Sequence, residues 1–327
     1  MEKKDLRIVF LGTPDFAVES LRRIVDEGYN VVGVVTMPDK PAGRGHRMYQ
    51  SPVKEFALDR GLKLMQPVSL KDPEFVGELR SLDADLFVVI AFRMLPEVVW
   101  TMPRLGTFNL HASLLPRYRG AAPINWAVIN GDRETGVTTF FLKHEIDTGD
   151  ILRQERIEIG EDENVGSVHD RLMALGAELT LDTIGHIIAG DLVPRSQDAM
   201  PGGEAPTLAP KIFRDTCHID FGQPAERVRN LIRGLSPYPA AWCELRDASE
   251  PGAGQAPLST LKVYESKRAG ETALAPGEVS VADGRMLVGC GDGNALELVE
   301  VQPSGKRRMT AGEFLRGARL PQRLVMG

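Results

Sequence analysis

Short apolar runs alternate with segments of 3.6-residue period over residues 1–190, the pattern of a mostly parallel sheet whose strands are joined by helices. Strands are predicted at Arg7 to Leu11, Val31 to Thr36, Leu62 to Met65, Asp85 to Ile90 and Gly106 to Leu110. Between them, Asp15 to Glu27 places Phe16, Val18, Leu21, Ile24 and Val25 on one helical stripe, and Pro52 to Arg60 and Asp72 to Leu82 also read as helices. Ligands of such sheets bind beyond the carboxyl ends of the strands. That rule gathers Gly12 to Asp15, Ala91 to Pro96 and Asn109 to Pro116 on one rim.

Further along, Gly136 to Phe141 and Ile151 to Ile157 read as an antiparallel pair flanking the turn HEIDTGD, and Val165 to Ala189 as a long amphipathic helix. Residues 191–210, with four prolines and two glycines, read as a linker. The second domain, 211–327, opens with a helix at Ala225 to Leu235. Short strands follow around Trp242, Leu261 to Tyr264, Met286 to Val288 and Leu296 to Val301, a pattern that suits a small OB-like β-barrel.

Composition narrows the class. A chain of 327 residues, 43% hydrophobic, can bury the cores of two ordinary domains. No uninterrupted apolar run reaches the roughly 20 residues that span a bilayer, and MEKKDLRIVFLG lacks a signal-peptide pattern, so a cytoplasmic location is expected. The net charge of −6 argues against bulk coating of nucleic acid. Residues 211–327 nevertheless hold sixteen Lys or Arg against fourteen Asp or Glu, which permits a polyanionic partner there. Cys217, Cys243 and Cys290, odd in number and widely spaced, fit neither a disulfide framework nor a metal site; they read as ordinary buried residues.

The densest chemistry lies between Asn109 and Asp150. Asn109 and His111, two apart at the end of a strand, point to one face, so a neutral amide and a titratable imidazole converge on the rim. HEIDTGD brings Glu145, Asp147 and Asp150. Such a turn can use Asp merely to bond its own backbone, or one Asp can meet His111 across a cleft, with His144 in support. SLLPRYRG reads either as a surface loop plugged by its leucines or as an apolar wall for a flat heterocycle. The excursion from Met37 to Lys54, with Lys40, Arg44, Arg47 and Lys54, is long for a βα connection and reads either as a solvated surface loop or as a basic loop that closes on phosphates. GTPDF after the first strand lacks the GxGxxG spacing of a dinucleotide site; Gly12 is expected to permit a tight turn, with Thr13 or Asp15 capping the next helix. Short ligand spacings for a metal are not found, so none is expected.

Taken together, RIVFLGTPDFAVESL, PDKPAGRG followed by SPVK, NLHASLLPRYRGAAPINWAVINGD, TGVTTF, DTGDIL and IDFGQPAERVRNLIRGLSPYPAAW occur in an order that resembles the methionyl-tRNA formyltransferase family, along nearly the whole chain. The resemblance implies a Rossmann-like α/β catalytic domain and a smaller OB-like C-terminal domain. It also implies formyl transfer from 10-formyltetrahydrofolate to the α-amine of initiator methionyl-tRNA, by a monomer. Asn109, His111 and Asp147 match the family's catalytic Asn, His and Asp. Ser113, Leu114, Leu115 and Pro116 match its folate-binding element, and Arg44 matches the basic residue of a loop that engages the tRNA acceptor end. The chain departs from the family at AFRMLP, where AYGLILP is common, and at Lys143 and His144, where Met-Asp is frequent. A sugar-nucleotide or glycinamide-ribonucleotide formyltransferase would share the Asn, His and Asp but would not need the PAGRG loop or a basic β-domain. An RNA-binding regulator would not need the catalytic set.

Overall fold

The computed structural model describes residues 2–42, 47–199, 206–249 and 257–327. The chain opens with β1 (Arg7–Gly12), α1 (Asp15–Asp26) and β2 (Asn30–Val35), then β3 (Lys40–Ala42) and β4 (Arg47–Tyr49), which pair antiparallel. Next come α2 (Pro52–Asp59), β5 (Leu64–Met65), α3 (Pro73–Ser81), β6 (Leu86–Ile90), α4 (Glu97–Trp100) and β7 (Thr107–His111). β8 (Arg119–Gly120), α5 (Pro123–Ile129), β9 (Glu134–Phe141), β10 (Ile151–Glu158) and α6 (Val165–Ala189) complete this stretch. The chain divides into two compact units. The first is built from Met1–Gly120, Thr135–Ile157 and His169–Ala209, the second from Ala121–Glu134, Glu158–Val168 and Pro210–Gly327.

In the first unit the main sheet has the strand order β10-β9-β7-β6-β1-β2-β5, apart from the small β3-β4 pair and the strand β8. β1 pairs parallel with both β2 and β6, β6 pairs parallel with β7, and β9 returns antiparallel to β7. The order reverses at β1, so a crevice opens beyond the ends of β1 and β6, the place where such sheets take ligands. β1 and β6 read as unbroken apolar runs because both their faces are covered; Ile8 to Leu11 and Leu86, Val88 and Ile90 are all 0% exposed. The capping expectation for α1 fails. Its N-cap is Pro14, with no side-chain hydrogen bond, and Asp15 falls inside the first turn, where its charge opposes the helix dipole favourably.

α6 packs on this sheet, with Thr183 and Thr139 hydroxyls 2.8 Å apart and Gly176 against Leu110. Although the sequence holds no uninterrupted apolar run of that length, α6 is long and apolar enough to cross a membrane by length and composition. Its Leu172, Leu179, Thr180, Thr183 and Ile184 are buried in the protein itself.

The stretch expected to be a linker is, where described, built into the first unit. Arg195 bridges Ile151, Gln197–Ala199 forms a tight helical turn, and β11 (Leu208–Ala209) pairs parallel with β8. Proline and glycine there signal the lack of long regular elements, which does not mean a lack of contacts.

The second unit is an antiparallel, nearly closed barrel. α7 (Ala225–Leu235) precedes β12 (Ala241–Asp247), β13 (Ser259–Glu271), β14 (Val279–Ala282), β15 (Arg285–Gly289), β16 (Asn294–Pro303), β17 (Met309–Thr310), α8 (Ala311–Gly317) and β18 (Leu324–Met326). The sheet order is β14-β15-β16-β13-β12-β18, and a bridge between Glu278 and Val325 brings its two edges together. α7 buries Val228, Ile232 and Leu235 against Cys243, Leu261, Val263, Leu296 and Val301. α5 joins the same core through Ile129, and the Asn125 amide donates to the Gly234 carbonyl at 2.8 Å. α8 starts at a full capping box, Thr310 with Glu313. The three cysteines are free and buried, and burial pushes the Cys243 thiol up to about 12, as expected of inert core residues.

Candidate active site

The end of β7 sets the site. Asn109 lies opposite Phe140 and His111 opposite Thr138 across the antiparallel pair with β9, so the two side chains share one face. Asn109 is half-buried, and among the described residues its amide has no hydrogen-bond partner. His111 is 6% exposed, with Phe140 edge-on to its ring. Its Nε2 lies 2.8 Å from the Tyr118 carbonyl oxygen. A carbonyl can only accept, so Nε2 carries the hydrogen and donates, which leaves Nδ1 as the free ring nitrogen.

Nδ1 faces the Asp147 carboxylate, with Oδ2 3.8 Å away. That is too long for a hydrogen bond. It is the right spacing for a third atom, an amine or a water, to lie within about 3 Å of both. Asp147 itself has φ +55°, a left-handed conformation that Asp tolerates better than most residues. Its Oδ2 accepts the Gly120 N–H at 2.8 Å. Gly120 has φ +125°, and a Cβ there would lie 2.7 Å from the Ala209 carbonyl oxygen, so only glycine lets this N–H reach the carboxylate. Of the two readings of HEIDTGD, the carboxylate that meets His111 across a cleft is the one the geometry favours. His144 does not support it: its ring turns to Glu97 and packs edge-on against Trp100.

The Ser113 to Pro116 segment follows on the same rim, but its side chains are largely spent inside the protein. Ser113 is fully buried, with Oγ donating to the Arg117 carbonyl at 2.6 Å and its own carbonyl accepting from Thr138 at 2.7 Å. Leu115 packs with Phe140 and Ile151, and its carbonyl accepts the Gln154 amide at 2.8 Å. Pro116 is also buried, which leaves Leu114, half-buried, as the one side chain of the four turned partly outward. On the neighbouring rim Ala91 has φ +47°, and the Arg93 guanidinium donates to the Pro67 and Val68 carbonyls, fixing the shortened AFRMLP loop from outside the sheet. Thr13 adds a buried hydroxyl without a partner at the end of β1.

Of the basic excursion, Lys54 is committed at the base: its ammonium bonds Asp39 at 2.6 Å, and with Gln66 it holds the Asp39 carboxyl below its usual range. Arg44 lies outside the described residues.

The sequence reading missed the residues that support this set. Tyr118, at φ +60°, aims its carbonyl at His111 while its N–H donates to Thr207 Oγ1 at 2.8 Å. Gln197 and Arg119 hold the turn around Asp147 from behind. A non-glycine at positive φ has no local sequence signature beyond residue type, and Gln197 sits 50 positions from Asp147.

Residues 6–184 match the formyl transferase family, and 211–319 match the formyl transferase C-terminal domain. A methionyl-tRNA formyltransferase of Bacteroides fragilis is 56% identical over 331 residues, covering 100% of this chain and 99% of the relative. One of Bacteroides thetaiotaomicron is 55% identical over 322 residues, 98% of each. Among solved structures, the N-formyltransferase from Helicobacter canadensis in complex with folinic acid and dTDP-3-aminofucose superposes with TM-score 0.64 at 19% identity, over 91% of this chain and 99% of that one. HypX from Aquifex aeolicus in complex with tetrahydrofolic acid gives 0.62 at 18%, over 96% and 48%. At such identities the structural likeness is one of fold.

Proposed function

We propose a function from one premise: the chain belongs to the formyl transferase family, through both its N-terminal and its C-terminal domain. It transfers the formyl group of 10-formyltetrahydrofolate to the α-amine of methionine carried by initiator tRNA, the step that prepares the tRNA for translation initiation. The observation that carries the acceptor is likeness at 55% to 56% identity over essentially the full length to relatives named for that activity.

In the first unit, Asn109, His111 and Asp147 carry the chemistry. The methionyl amine attacks the formyl carbon, charge collects on the formyl oxygen, and the bond to the folate nitrogen breaks as that nitrogen regains a proton. The free Asn109 amide is the donor for the oxygen; a preset donor of this kind is commonly worth about 2.7–4 kcal/mol. His111 Nδ1 and Asp147 Oδ2, 3.8 Å apart, receive the proton that the amine loses and pass it on, directly or through one water. This sharpens the expected division of labour. With Nε2 held by Tyr118, His111 has one free nitrogen, which suits proton transfer, and Asn109 is left as the main oxyanion donor.

The folate lies along Ser113 to Pro116, held by backbone groups and Leu114. The second unit and the Arg44 loop hold the tRNA, and the enzyme acts as a cytoplasmic monomer. Arg44→Ala is expected to raise KM for methionyl-tRNA about tenfold with KM for the folate unchanged, the loss of a single phosphate contact. Steady-state kinetics with each substrate varied in turn checks this.

The assignment of the acceptor is tested by incubating the protein with 10-formyltetrahydrofolate and either charged initiator tRNA or a dTDP-linked amino sugar. Formyl on methionyl-tRNA alone is the expected result, and transfer to the sugar with none to the tRNA overturns it.

A further inference from the structure

We propose that Gln197, backed by Arg119, is a positioning residue that holds the Asp147 turn in its working geometry; the proposal rests on the reading of Asn109, His111 and Asp147 as the transfer site. Gln197 is 5% exposed, and its amide is used to capacity. Nε2 donates to the carbonyls of Asp147 and Gly149, both at 2.8 Å. Oε1 accepts from Arg119 Nε at 3.0 Å and Nη2 at 2.6 Å. An amide supplies two donor hydrogens and one acceptor oxygen, and here all have partners of the right polarity. Flipping the group would set an oxygen against two carbonyls and an NH2 against a guanidinium, so its orientation is fixed by its surroundings.

These contacts close a circuit. Arg119 grips Gln197, Gln197 grips the Asp147 backbone, the Asp147 carboxylate accepts the Gly120 N–H, and Gly120 is peptide-bonded to Arg119. Asp147 is thereby held at its main chain and at its carboxylate. A left-handed aspartate persists when its surroundings over-determine it, and this circuit does so. The same stretch of chain also reaches the other side of the site: Thr207 Oγ1 takes the Tyr118 N–H, and the Tyr118 carbonyl takes His111 Nε2. Residues 195–199 and 207–209 thus brace both partners of the 3.8 Å His111–Asp147 gap. Proton transfer falls off steeply with misplacement, and an error of about 1 Å can cost 10²-fold.

The test is a double-mutant cycle read by single-turnover formyl transfer from 10-formyltetrahydrofolate to methionyl initiator tRNA. Gln197→Leu keeps the volume and removes every hydrogen bond. It is expected to slow transfer roughly 10–100-fold with KM for both substrates within about threefold. In an Asp147→Ala background, where the turn no longer carries the carboxylate, the same change is expected to cost less than about threefold. Gln197→Glu keeps the Arg119 contact but turns oxygens toward both carbonyls, so it should behave like Gln197→Leu, and it carries the cycle if the leucine variant does not fold. Equal losses in both backgrounds mean a general structural role and overturn the proposal, as does a wild-type rate for both Gln197 variants. If Asp147→Ala alone turns over at the wild-type rate, the reading of the site itself has failed; a slow Asp147→Ala with additive losses sinks the Gln197 role alone.

Discussion

Asn109→Ala and His111→Ala are each expected to slow single-turnover formyl transfer by about 10²–10³-fold, with tRNA and folate binding within about threefold of wild type. Asn109 has no hydrogen-bond partner among the described residues, so removing its amide orphans nothing, and the folded state loses little. On the proposed mechanism what is lost is a donor to the oxygen where charge develops in the transition state, the kind of contact worth about 2.7–4 kcal/mol. His111→Ala differs in one respect. It removes the hydrogen bond to the Tyr118 carbonyl and leaves space beside Phe140, so a loss of stability of about 1–3 kcal/mol is expected in addition. Rapid-quench kinetics with radiolabelled formyl donor, paired with filter binding of the tRNA, separates the two effects. A wild-type transfer rate from either variant contradicts its assigned role.

Gly149→Ala is expected to cost more than any conservative change on the rim, because it acts on the backbone of the acidic turn. A Cβ at Gly149 would overlap the carbonyl oxygen of Phe141 and crowd the Phe140 ring. The Phe141 N–H donates to the Asp150 carbonyl at 3.0 Å, so the two chain segments cannot part without breaking the mouth of the turn. Overpacking a fixed backbone costs about 1–3 kcal/mol or more, and the upper end is expected here, a fall of roughly 6–12 °C in melting temperature for a unit of this size. Opening the turn also moves Asp147 from His111, so transfer should drop by about 10² or more. Gly77→Ala in α3 is the control: nothing lies within 4 Å of the added methyl, and in mid-helix the change should stabilise by up to about 1 kcal/mol. Thermal melts and transfer rates of the two variants together decide the matter. A Gly149→Ala protein as stable and active as wild type would show that the turn is not closed as described.

How much of this was legible beforehand varied with how local the cause is. α7 at Ala225–Leu235 and α6 at Val165–Ala189 follow from apolar periodicity, and β1, β6 and β7 from short apolar runs, each within a residue or two of expectation. α5 was missed because its seven residues, Pro123–Ile129, make under two turns, and it is stabilised by packing with α7 in the second unit. At the site, the shared face of Asn109 and His111 is a consequence of strand alternation and could be read directly. The inward turn of Ser113 and Leu115 could not, since the segment leaves the strand and no period governs it. The support from Tyr118, Thr207 and Gln197 depends on contacts up to 89 positions apart, which no sequence pattern announces. Residues 191–210 show the same limit from the other side. Where they are described they form no long helix or strand, yet the Gln197 side chain is buried and holds the Asp147 turn, and Thr207 Oγ1 accepts the Tyr118 N–H.

On the proposed mechanism His111 and Asp147, facing each other across 3.8 Å, move one proton as a unit during formyl transfer. The most direct measurement is the single-turnover rate of His111→Ala, Asp147→Ala and the double variant, at saturating 10-formyltetrahydrofolate and methionyl initiator tRNA. Groups that act together lose their joint contribution once, so the double variant is predicted to be no more than about threefold slower than the slower single variant. Losses that multiply across the two substitutions would mean that His111 and Asp147 act independently.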